Sequence, residues 1–118
     1  MTAAPLPASH TRRPLPMTEA ALQANVLEAA RLGGWLYFHD NDSRRNRAGF
    51  LDNVFLHPET GRLLFVELKS ATGRIRPEQQ QWIDALHRGG HTVRVWRPEQ
   101  WTDGTIARAL VTERGAAA

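Results

Sequence analysis

A chain of 118 residues with 15 Lys+Arg against 12 Asp+Glu has a formal charge of +3, enough length for one domain with a modest core, and only a mildly basic balance. It contains no cysteine, which excludes disulfides, thiolate zinc sites and a cysteine nucleophile. No run of about 18 apolar residues is present and the N-terminus has no apolar signal-peptide core, so the expectation is a cytoplasmic protein without a membrane partner.

Residues 1–16, "MTAAPLPASHTRRPLP", hold four of the seven prolines and are expected to form a flexible tail. A single domain is expected over residues 17–112, with residues 113–118 frayed. The first helix should begin after Thr18 as N-cap, with Met17 placed to staple onto Leu22, and should end near Leu32 at Gly33-Gly34. "WLYFHD" from Trp35 reads as a strand, and "NDSRRNRAG" as a basic loop. "FLDNVFLH", Phe50 to His57, is a second strand, "PETG" a turn, and "RLLFVELK" a third strand forming a hairpin with the second. Neither hairpin strand alternates cleanly, so both are expected to be covered on both faces. The loop "SATGRIR" leads into a helix that opens at Pro77 and stops at Gly89-Gly90. "TVRVWRP" is a fourth strand and "EQWTDGTIARALV" a final helix. The expected fold is α/β, a mixed sheet flanked by helices.

Several polar residues fall where core residues belong. Phe50, Asp52, Val54 and Leu56 should share one face of the second strand, which sets a carboxylate among apolar side chains. Glu67 and Lys69 follow Leu63 and Phe65 on one face of the third. Gln79 lies on the stripe of Trp82, Ile83 and Leu86, and Glu19 on that of Leu22 and Val26. Each has an ordinary explanation. Asp52, Glu67 and Lys69 suit solvated strand ends, Gln79 a third helical position reaching back to unpaired N–H groups, and Glu19 the positive end of a helix dipole. Together they imply more. Two carboxylates on hairpin neighbours and a third at a helix start repel one another unless a cation neutralises them. Without cysteine, that cation is expected to be Mg²⁺ or Mn²⁺, with Lys69 as a fixed charge beside it. Such a set suits metal-assisted phosphodiester hydrolysis.

Asp52, then fourteen residues, then Glu67-Leu68-Lys69 resembles the PD-(D/E)XK nuclease motif. With "GFLDNVFL", "LLFVELKSATGRIRPEQQQWIDALHRGGHTVRVWRP" and the upstream helix carrying a Glu, the text from Glu19 to Trp101 resembles the VRR-NUC, or virus-type replication-repair, nucleases. That resemblance implies a restriction-endonuclease-like αβββαβ core. It implies Glu19, Asp52, Glu67 and the backbone carbonyl of Leu68 as metal ligands, Lys69 as the catalytic lysine and Gln79 as a glutamine pointing into the site. It further implies a homodimer acting on DNA, with branched or four-way junction substrates expected from the absence of a separate specificity domain. The family usually has Pro before the motif aspartate and an apolar residue after it. Here these are Leu51 and Asn53, and Asn53 needs a hydrogen-bond partner of its own.

Arg44, Arg45 and Arg47 precede the Asp52 strand, and Arg74 and Arg76 lie between Lys69 and the second helix. All five are expected to grip phosphates beside the site. His39 suits either a DNA contact or a strand end, and reads as the latter. The rival function is a non-catalytic DNA-binding or assembly subunit that keeps the nuclease fold; a sequence-specific restriction enzyme ranks third.

Overall fold

The computed structural model describes residues 17–40 and 49–112. Arg44, Arg45, Arg47, the expected N-terminal tail and the residues after Thr112 lie outside the described residues.

Helix α1 spans Glu19–Leu32, and its start follows from local chemistry: Thr18 Oγ1 accepts the Ala21 N–H at 3.0 Å. Leu22, Val26, Ala29 and Ala30 recur at helical spacing and are its buried stripe. Met17 packs against the core that contains Leu22. Gly33 caps the helix and Gly34 turns the chain at a φ of 84°. Strands β1 (Leu36–His39), β2 (Asn53–Leu56) and β3 (Leu63–Leu68) form an antiparallel meander. Helix α2 (Pro77–Arg88) then crosses over to β4 (Thr92–Trp96), which pairs parallel with β3. The sheet order is β1-β2-β3-β4, so the expected mixed sheet with flanking helices is present.

Three expectations need correction. The second strand begins at Asn53, so Asp52 stands just before it. Its buried side chains are not the expected face: Leu51, Asn53, Phe55 and His57 are buried, Val54 is half-buried and Leu56 exposed. The polar Asn53 takes a core position because Gln23 satisfies it, and His57 because Gly33 O and the Glu59 N–H lie at 3.0 and 3.2 Å from its two ring nitrogens.

The hairpin is also only partly covered on its second face. Phe55, Leu64, Val66, Leu68 and Trp96 are buried in the same core as α1, Ile106 and Leu110. On the opposite face, Leu36 pairs with Leu56, and Leu56 with Leu63, and all three remain exposed, as does Phe38. The second face is thus covered by α2 at the Glu67 end of β3 and exposed at Leu36, Leu56 and Leu63 among the described residues.

The final helix is interrupted. Helix α3 (Pro98–Thr102) ends at Asp103, Gly104 adopts a φ of 87°, and Asp103 Oδ1 accepts the Thr105 N–H to begin α4 (Thr105–Ala107). A π-helical turn over Arg108–Thr112 follows, and its Leu110 carbonyl accepts the buried indole N–H of Trp35.

Candidate active site

The register Asn53↔Val66, carried one step further, sets Asp52 opposite Glu67 at the end of the sheet. The contact is direct, with the Asp52 N–H donating to Glu67 Oε1 at 3.2 Å. Glu67 is 1% exposed on the sheet face opposite α1. Its second oxygen, Oε2, accepts from Gln79 Nε2 at 2.9 Å and lies 3.6 Å from Lys69 Nζ. Lys69 is held by its own N–H, which donates to the Trp96 carbonyl next to the β3–β4 ladder.

Gln79 makes two contacts with the two ends of its amide. Its Oε1 accepts the Arg76 N–H at 2.9 Å, capping the first turn of α2, while its amide group donates to Glu67. The capping bond fixes which end of the amide faces the carboxylate.

From the other side of the sheet end, the first turn of α1 brings in Glu19. A cleft of about 280 Å³ is lined by Glu19, Ala20, Gln23, His39 and Asp52. The electrostatics join the cleft to the buried carboxylate. Burial, reinforced by the charge of Asp52, pushes the Glu67 carboxyl up to about 7. Burial also raises Asp52; Glu19 and Asp40 push it further up, and His39 and Lys69 oppose them. Among the described residues, no group of three or more His, Asp or Glu side chains is already gathered closely enough to hold a metal ion. The donor chemistry nevertheless fits a hard divalent cation. The acceptors are carboxylate oxygens whose mutual repulsion a positive charge would relieve.

A family model described as the VRR-NUC domain matches residues 7–99, most of the chain. The chain belongs to the VRR-NUC family. A solved structure described as "VRR_NUC domain" is 22% identical, covers 75% of this chain and 95% of its own, and superposes with a TM-score of 0.61. At that identity the likeness concerns the fold. No curated protein matches.

Within this VRR-NUC chain, Asp52, Glu67, Lys69 and Gln79 come together, and Glu19 acts on the two other carboxylates through its charge. Leu68 closes β3 opposite Trp96, with its side chain buried in the core. Arg74 and Arg76 are exposed between Lys69 and α2. The Arg97 guanidinium secures that loop by donating to the carbonyls of Ser70 and Gly73, both at 2.7 Å. Of the residues lining the cleft, Gln23 is not singled out by the sequence and His39 reads there as a strand end. Both had a signal in the text: Gln23 is four residues after Glu19 on one helix face, and His39 ends the strand entering the basic loop.

Proposed function

We propose that this protein is a Mg²⁺- or Mn²⁺-dependent DNA endonuclease acting on branched DNA such as four-way junctions, and that it works as a homodimer. The observation that carries the reading is the buried Glu67 carboxylate. It is opposite Asp52, oriented by Gln79 and adjoined by Lys69. A structural carboxylate would not need two acidic neighbours that raise its pKa.

Glu19, Asp52, Glu67 and the Leu68 carbonyl are the groups that would hold the metal. When bound, it would polarise the scissile phosphate and acidify a water. The chain's own residues do the rest. Gln79 keeps Glu67 in one orientation through the amide that caps α2. The Lys69 ammonium donates to the attacking water or to a phosphate oxygen, where negative charge builds in the transition state. Water oxygen bonds to phosphorus as the P–O3′ bond breaks, the 3′ oxygen takes a proton, and a 5′-phosphate remains, as family resemblance implies. Arg74 and Arg76, with Arg44, Arg45 and Arg47, supply sequence-independent phosphate contacts. For the homodimer, support comes from the bare row Leu36, Leu56 and Leu63 with Phe38, because soluble monomers rarely leave large apolar patches in water.

The test is cleavage of linear, flapped and four-way DNA with Mg²⁺, Mn²⁺ or excess EDTA, alongside Glu67→Gln. Metal-dependent cutting that Glu67→Gln lowers by orders of magnitude supports the reading. Full activity in EDTA overturns the metal assignment. DNA binding without any cleavage favours the non-catalytic subunit instead.

A further inference from the structure

Asn53 immediately follows Asp52, is fully buried, and stands where the resembled family carries an apolar residue. Gln23 lies one helical turn after Glu19 and lines the same cleft as Glu19 and Asp52. The two amides bond reciprocally: Gln23 Nε2 donates to Asn53 Oδ1 at 2.8 Å, and Asn53 Nδ2 donates to Gln23 Oε1 at 3.1 Å. An apolar pair would fill this space equally well. It would also let α1 slide or rotate on β2, because dispersion contacts have little directionality. A double hydrogen bond between two planar amides permits neither movement without leaving the buried Asn53 amide unpaired.

We propose that the Asn53–Gln23 pair is a positioning clamp that sets the placement of Glu19 relative to Asp52, and thereby the affinity of the centre for its divalent cation. The clamp joins the residue beside one expected ligand to the helix that bears another. Partners behind a metal's ligands commonly change metal affinity about 10- to 100-fold when removed. The inference rests on the metal-centre reading of Glu19, Asp52 and Glu67.

Mn²⁺ binding to the full chain without DNA, followed by loss of the free-ion electron paramagnetic resonance signal, provides a readout independent of cleavage. Gln23→Met strands the buried Asn53 amide and should lower the melting temperature, whereas Asn53→Leu leaves the half-buried Gln23 amide to water in the cleft and should cost less; both should weaken Mn²⁺ binding. The combined Asn53→Leu/Gln23→Met variant removes both partners and should regain most of the melting temperature. Its Mn²⁺ dissociation constant should remain about 10-fold or more above that of the wild type. Recovery of Mn²⁺ affinity together with stability would make the pair merely structural and overturn the clamp alone. Failure of the wild type to bind Mn²⁺ would overturn the metal centre and the clamp with it.

Discussion

Gln79 donates to Glu67 at 2.9 Å through the same amide that accepts the Arg76 N–H, so a helix cap and a candidate catalytic carboxylate share one side chain. Substitution therefore separates two functions. Gln79→Glu keeps an acceptor for Arg76 but replaces the donor to Glu67 with a like charge. It should retain α2 while raising the Glu67 pKa further and lowering cleavage. Gln79→Leu loses both bonds and should cost about 1–3 kcal/mol of stability as well. Circular dichroism melts and cleavage rates on the two variants test the division. Equal stability losses would show that capping is not what separates them.

Glu67 also makes metal-free stability depend on pH. Below about 4.5 folded and unfolded chains both hold its proton; between there and about 7 only the folded chain does. Stability should therefore fall as pH rises through that window and level off above it. The contribution is on the order of 3 kcal/mol. The raised Asp52 carboxyl acts in the same direction. Denaturant melts of wild type and Glu67→Gln at pH 5 and 8 check this: the wild type should lose more stability over the interval. A pH slope unchanged by Glu67→Gln would remove the assignment.

The proposed metal binding would displace that proton. Mg²⁺ or Mn²⁺ should raise the melting temperature by mass action, with a larger rise at pH 8 than at pH 6, and calorimetry in buffers of different ionisation enthalpy should record proton release. Asp52→Asn should raise metal-free stability by relieving repulsion while abolishing cleavage. Strong destabilisation by Asp52→Asn would instead make Asp52 a structural residue.

DNA grip is expected from the two arginine groups. In a Glu67→Gln background, removing Arg74 and Arg76, or Arg44, Arg45 and Arg47, should weaken binding to all sequences alike. The log-log salt slope should shrink by up to about 0.9 for each duplex phosphate that the protein no longer neutralises. Titration at several salt concentrations measures it. An unchanged slope for one group means that group faces away from DNA.

Local chemistry made much of the fold legible. Thr18, Pro77 and the glycine pairs mark helix ends because caps and breakers act over a few residues. The closeness of Asp52 and Glu67 was legible in their spacing because the antiparallel hairpin sets one opposite the other. What was hidden depended on distant partners. Asn53 reads as a poor core residue until Gln23, 30 residues earlier, is seen to satisfy it. Leu56 and Leu63 look like core until their end of the sheet face, beyond the reach of α2, is found exposed. The break at Gly104 was passed over because the apolar spacing of Trp101, Ile106 and Leu110 continues across it.

Helix α2 buries one side chain, Gln79, and rests otherwise on half-buried Trp82, Ile83 and Leu86. Phe50 meets Trp82 edge-on with ring centroids 4.9 Å apart. So lightly anchored a helix should breathe: its amides should exchange with solvent through partial openings well below the free energy of global unfolding, ahead of those in α1 and β3. Each opening would withdraw Gln79 from Glu67, so under the proposed function the fraction of molecules ready to cleave would depend on the latching of this one helix. A substrate seated against it would slow amide exchange throughout Pro77–Arg88, even at positions it never touches.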